Sequence, residues 1–415
     1  MSLAVADALL DGHPVGLRVE HGRIAELGPG VAPRPGDEVI DATGMLLSPP
    51  MVNGHTHAAM TLLRGFGDDM PLMEWLRERI WPAEAKLEPE DVYWGTRLAC
   101  IEMIRAGTSR FLDMYWHGPE VARAVADSGL RAAVSTVIID QLDPAKGREL
   151  RGGMLESLDR IAGAGERVVP SLGPHAIYTV SGESLAWIAE VAADRDLTVQ
   201  IHLSETEQEV EDCLEAHGKR PAAYLDGVGF LGPRTVLAHG VWLDREELEL
   251  IAEHEATVVA NPAANMKLAV GGVLPYSEAA QAGVRLGLGT DGVSSNSNLD
   301  SFEEVKLLGL SQKQASGDSA TLPASEALEI ARGLRSPALG GTPLAAGEPA
   351  DFLLLRGSDP ELSAGEIDAD LVYAASGGIV DTTVVGGDVL MRGRKVAGAE
   401  EAVAEVRARA GRLTR

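Results

Sequence analysis

Cysteine is nearly absent from the sequence: Cys100 and Cys213 are the only two, and neither sits in a C-x-x-C pattern. Two such residues cannot build a disulfide framework, and a reducing, cytoplasmic setting fits best. Basic residues are also scarce against acidic ones, 36 Lys+Arg to 62 Asp+Glu, for a formal charge of -26. That balance makes polyanionic nucleic acid and an anionic membrane surface poor partners. No apolar run reaches the roughly 18 residues that span a bilayer. The opening "MSLAVADALLDGHP" lacks the basic start and the apolar length of an export signal. Internal repeats, low-complexity tracts and long linkers are missing too. The expectation is a soluble protein that is not exported.

What is present is a chain of 415 residues, longer than one ordinary domain. Between about Leu46 and Asp291, eight short β-prone runs alternate with amphipathic segments. The runs are "MLLSPPMVNGH", "TSRFLDMY", "RAAVSTVII", "RVVPSLGPH", "LTVQIHL", "TVLAHG", "ATVVANP" and "VRLGLGTD"; "SLAWIAEVAADRD" and "REELELIAEHE" are two of the helix-like segments between them. Eight strand-helix units specify an α/β fold, a (β/α)8 TIM barrel, over residues 49–339. The ends of the chain read differently. "PVGLRVEHGRIAELGPG" alternates around His-Gly and "DTTVVGGDVLMRGRKV" around Gly-Gly, so each predicts a hairpin. Residues 1–48 and 340–415 are therefore expected to pair into one small β-sandwich domain formed by the two chain termini.

In such a barrel the chemistry sits at the C-terminal ends of the strands. His55 and His57 end the first run, His175 follows the fourth, His202 ends the fifth, His239 ends the sixth and Asp291 closes the eighth. In an extended strand residues i and i+2 share a face, so "HTH" aims both imidazoles into the barrel mouth while Thr56 points away. With His202 and Asp291 this makes a metal site. Three imidazoles and one carboxylate suit one Zn²⁺, with Fe²⁺ as a competitor. A metal of this kind lowers the pKa of water toward 7, which is hydrolytic chemistry. Because "VVPSLGPHAIYTV" has no lysine to bridge a second ion, one metal is expected.

Glu205, three residues past His202, lies where a carboxyl can shuttle a proton beside that water. The plainer alternative is that it merely opens the acidic helix "ETEQEVEDCLEAHG". His239 is expected to polarise the water or the oxyanion, with a further ligand role as its alternative.

The segments "NGHTHAAMTLLRGFGDDMPLMEWL", "FLDMYWHG", "SLGPHAIYTVS", "IHLSETEQEV", "NPAANMKLAVGG" and "LGTDGVSSNSNLDSFEE" resemble the amidohydrolase superfamily. Within it they look like the deaminases of 5'-methylthioadenosine and S-adenosylhomocysteine. The resemblance implies that His55, His57, His202 and Asp291 hold the metal and that Glu205 protonates a purine ring nitrogen. It further implies that Asp291 moves the proton of the attacking water, that His239 steers that water, that Glu84 in "WPAEAKL" accepts ribose hydroxyls and that His175 contacts the nucleoside. Trp75 and Trp81 either wall the base pocket or pack the loop helix. A homo-oligomer is compatible with the resemblance.

One position departs from the family pattern. Thr136 stands where an arginine near the end of the third strand can meet an anionic tail, and Arg131 lies at the opposite end of that strand. Arg148, in "PAKGRELRGG", matches another basic position and is the candidate substitute. Loss of an arginine fork weakens recognition of a carboxylate. The expected substrate is thus a small-molecule adenine nucleoside, adenosine, 5'-deoxyadenosine or 5'-methylthioadenosine before S-adenosylhomocysteine, converted to the inosine analogue and ammonia. The rivals are a deaminase of a free base or pterin, or a triazine chlorohydrolase, on the same metal site. A non-catalytic barrel that only binds a partner would have lost ligands, and all four are in the sequence.

Overall fold

The computed structural model describes residues 2–363 and 366–415. Its centre is a parallel sheet whose strands, in chain order, are Met51–His57, Thr108–Tyr115, Arg131–Ile138, Val168–Pro174, Thr198–Leu203, Thr235–His239, Thr257–Ala260 and a broken eighth, Arg285–Leu288 and Asp291–Gly292. Each pairs with the next, the first half of the eighth pairs with the seventh, and its second half pairs with the first. The sheet is strongly curled. Val52, Leu112, Ala133, Val236 and Val259, one from each of five strands, close around Leu339 in a small buried cluster of their own. A flat sheet could not bring them together.

All eight expected runs form strands, the eighth in the two halves already given and the first divided between sheets. "MLLSPPMVNGH" is two strands, because Pro49 and Pro50 have no amide to donate and end the ladder. Met45–Ser48 goes to a second sheet, where it pairs antiparallel with Phe352–Arg356, and Met51–His57 enters the curled one.

That second sheet is mixed, has nine strands and is built from both ends of the chain. The two hairpins have the predicted turns: His21 and Gly22 lie at φ 51° and 74°, Gly386 and Gly387 at 57° and 82°, so both central residues of each turn are left-handed. The strand alternation divides its faces. Phe352 and Leu354 join Val5, Leu17 and Ile24 in a core of their own, whereas Leu353 and Leu355 join the main core beneath the curled sheet. Arg131, at the strand end remote from the histidines, forks onto Asp351 at 2.8 and 3.1 Å and ties the two sheets together. The helix Ala399–Leu413 packs on Pro89–Arg105, with Arg409 and Arg412 on the buried Asp91.

Candidate active site

His55 and His57 both reach the mouth of the curled sheet. The strand register shifts between Asn53 and Thr56, and the two imidazoles end edge to face with centroids 4.9 Å apart. Their Nε2 atoms stand 3.5 and 3.1 Å from Asp291 Oδ1, and His202 Nε2 is 3.3 Å from His57 Nε2. His55, His202, His239 and Asp291 also form a group whose donor atoms all lie within 4.8 Å of one another. Five donors from four strands thus converge.

The outer nitrogens explain the orientation of the rings. His57 Nδ1 lies 2.5 Å from the carbonyl of Met114 and His202 Nδ1 lies 2.7 Å from that of His175. A carbonyl only accepts, so each Nδ1 carries a proton and each Nε2 is the ring nitrogen left to face the other donors. Gln200 does the same for His55: its amide donates to Asp113 O and Ser135 Oγ, leaving Oε1 to accept from His55 Nδ1 at 3.2 Å. Asn265 Oδ1 faces His239 Nδ1 at 2.8 Å. Ring nitrogens fixed in this way are the usual support of metal-binding histidines. His55 Nε2 is itself buried without a hydrogen-bond partner, an arrangement that suits a cation in front of it.

Burial and neighbours divide the titrating groups. Desolvation brings His55 down to about 4, while Asp291 overcomes the same penalty at His57 and raises it to about 9. Burial opposes charge on Asp291, yet His55 and His57 hold its carboxyl well below the ordinary range. Glu205 goes the other way: burial first, and then the nearby Asp291 charge, raise it to about 8. Three residues of the site carry left-handed backbone, Ser204 at φ 50°, His239 at 78° and Asp291 at 56°. Such conformations cost free energy and persist where the surroundings impose them.

These groups open into a common cleft at the mouth of the sheet. His57, Glu84, His175, His202, Glu205, His239 and Asp291 line it, together with Trp75, Trp81, Tyr178, Val137 and Ile139. Trp75 and Trp81 therefore do face the cleft, although Trp75 also donates Nε1 to Phe66 O at 3.1 Å. Glu84 is raised by burial against the pull of Trp116, whose Nε1 donates to it at 3.0 Å. Two expected positions lie elsewhere. Arg148 is on the exposed side of the helix Pro144–Ala162, paired with Glu183 at 2.7 Å, and is not brought to the cleft. Thr136 turns toward that helix and bonds Ser157 Oγ at 3.0 Å; the residues that face the cleft here are Val137 of the third strand and Ile139 just past its end.

The sequence reading missed Gln200, Asn265 and Ser295, whose hydroxyl donates to Asp291 Oδ2 at 2.6 Å. Gln200 had a signal: it stands two before His202 on the same strand face.

A curled parallel sheet with imidazole and carboxylate donors gathered at its C-terminal strand ends defines a class of hydrolase folds built around a metal site. The chain belongs to the amidohydrolase family, whose model matches residues 46–390. It is 47% identical over 382 residues to a 5'-deoxyadenosine deaminase of Methanoregula boonei, covering 91% of this chain and 86% of that one. It is 44% identical over 361 residues to a 5-methylthioadenosine/S-adenosylhomocysteine deaminase of Thermococcus kodakarensis, covering 86% and 84%. Among solved structures, a zinc-bound adenosine deaminase from Xanthomonas campestris superposes with a TM-score of 0.91 at 31% identity, over 99% of this chain and 98% of that one.

Proposed function

We propose that the chain is a zinc-dependent aminohydrolase that replaces the exocyclic amino group of an adenine nucleoside by oxygen and releases ammonia. The observation that carries this reading is the convergence of the histidine Nε2 atoms on Asp291 in one cleft with the buried acids Glu205 and Glu84. Around zinc, ligands at roughly 2.0–2.2 Å are separated by about 3.3–3.6 Å. The spacings of His55, His57 and His202 to one another and to Asp291, 3.1 to 3.5 Å where they are in contact, are close to that, so these four are read as the ligands. When bound, zinc supplies the Lewis acidity that makes water a nucleophile near neutral pH.

The protein's own groups do the rest. Glu205, held protonated by burial, gives its proton to the ring nitrogen beside the attacked carbon. Asp291 stays ionised and takes the proton of the attacking water, later passing it to the departing ammonia. His239 is kept neutral by burial, with Nδ1 engaged by Asn265, so its Nε2 accepts from the water and steers it. Glu84 receives the ribose hydroxyls, and His175 borders the nucleoside. The apolar Val137 and Ile139 favour a 5'-deoxy or 5'-methylthio group over a charged tail.

The same reading takes the curled sheet as a closed (β/α)8 barrel over 49–339, because the two halves of its eighth strand are two residues apart and pair with opposite ends of the sheet. Residues 1–48 and 340–415 form the companion domain, read as a β-sandwich because part of the terminal sheet encloses its own core. We place the protein in the cytoplasm, acting without nucleic acid. The test is ammonia release by zinc-loaded protein from adenosine, 5'-deoxyadenosine, 5'-methylthioadenosine, S-adenosylhomocysteine, adenine, guanine and cytosine. Higher kcat/KM on 5'-deoxyadenosine and 5'-methylthioadenosine is expected, and turnover confined to free bases would overturn the substrate assignment.

A further inference from the structure

Beside the reacting groups stands a buried carboxylate with no part in that scheme. Glu209 lies in the first turn of the helix Glu207–His217, three residues past its N-cap Thr206, whose hydroxyl accepts from Glu209 N at 3.2 Å. In an ordinary capping box a glutamate at this position reaches back to the amide of the cap residue. Glu209 reaches further. Its Oε1 accepts from Ser204 N at 2.8 Å and its Oε2 from Glu205 N at 2.9 Å.

One carboxylate is thus divided between two consecutive amides. They point the same way because Ser204 is left-handed, at φ 50°, which turns neighbouring N–H groups into an anion-binding concavity. The carbonyls of the same stretch are held from the other side: Leu203 O accepts from Gly240 N at 3.0 Å and Ser204 O from Trp242 N at 2.9 Å. Both partners belong to the segment that carries His239. The backbone bearing Glu205 is therefore pinned on two sides, and its carboxyl stands 3.8 Å from His239 Nδ1.

Glu209 is only 5% exposed, and burial pushes its carboxyl up to about 8 against the pull of the Glu205 and Ser204 amides. We propose that Glu209 is the positioning residue of the proton donor, clamping the Ser204 and Glu205 amides so that the Glu205 carboxyl faces the cleft. The role of Glu205 in this proposal rests on the aminohydrolase reading; the clamp itself does not. A glutamine in its place would accept from one amide and turn its own NH2 against the other.

The test pairs Glu209→Gln with Thr206→Ala, which removes the cap of the same helix and leaves the clamp intact. Zinc content, thermal stability, kcat and KM on 5'-deoxyadenosine, and hydrogen exchange of the 204 and 205 amides are measured for both. Glu209→Gln is expected to fold and hold zinc with KM within about twofold, to lose roughly 10- to 100-fold in kcat through misplacement of the acid, and to exchange both amides faster. Thr206→Ala is expected to melt earlier and keep its kcat. A Glu209→Gln enzyme with wild-type kcat and protected amides would overturn the proposal. So would an equal loss of kcat in Thr206→Ala, which would make Glu209 an ordinary cap. If the wild-type protein turned over no adenine nucleoside, the functional reading would fail, while the exchange of the two amides would still decide the clamp.

Discussion

Gly289 is the position where a single methyl group tests the whole site. It sits between the halves of the eighth strand, and a Cβ added there would lie 2.4 Å from Asn261 Oδ1, 2.8 Å from His55 O and 2.9 Å from His55 N. Ordinary contact begins near 3.4 Å, so the first and eighth strands would have to part by about 0.5 to 1 Å. Two of the three obstacles are backbone, which cannot swing aside as a side chain does. Overpacking of this kind typically costs about 1–3 kcal/mol, and the upper end is expected here. For a chain of this length that is only roughly 3 °C in Tm, so melting is the weaker assay. Metal binding is sharper, because ligand sites tolerate displacements of only about 0.5 Å. Gly289→Ala should therefore weaken zinc binding by at least roughly tenfold in competition with a chromogenic chelator, the scale of a lost support for a ligand. A variant with wild-type zinc affinity would refute the argument that close approach of these strands sets the His55 ligand.

Glu205→Gln should abolish ammonia release, by a factor of about 10² or more, while zinc content stays at one per chain. His239→Asn should likewise keep its zinc and lose kcat; loss of the metal would instead make His239 a ligand in place of His57. Glu84→Gln should lower kcat/KM for nucleosides far more than for free adenine, which has no ribose to hold. Asp91→Asn should destabilise the chain by about 2 kcal/mol in urea at neutral pH, a discounted value because Arg409 and Arg412 are partly exposed. Burial opposes the Asp91 charge, but Arg412, the Glu88 amide and Arg409 together outweigh it, so its folded pKa lies below the ordinary value. Its contribution is present above about pH 4 and fades as pH falls through the lowered pKa, so the gap between wild type and variant should narrow in acid.

Much of this was legible in sequence because parallel strands buried on both faces read as short β-branched runs, and because a strand brings i and i+2 to one side. That rule placed His55 with His57. It does not supply the phase of "RAAVSTVIID", which is apolar or small on both faces, so nothing there corrects the resemblance that points to Thr136 where Val137 and Ile139 line the cleft. Arg148 depended on the rotation of a surface helix, and Glu183 on the neighbouring helix captures it. The split of the first run followed from two prolines whose meaning was clear only once Met45–Ser48 had found its partner some three hundred residues away. Asn265 and Glu209 are legible only in three dimensions, since what they do is decided by the atoms they meet, an imidazole nitrogen for the first and two backbone amides for the second.

The pairing of Met45–Ser48 with Phe352–Arg356 also sets a schedule. On a ribosome adding about 5–20 residues per second, the earlier strand waits roughly 15–60 s for its neighbour to be made. Throughout that interval one edge of the nascent sheet is open, and an open edge recruits whatever extended chain is nearby. Late synthesis, rather than the catalytic centre, is where this protein is most exposed to aggregation.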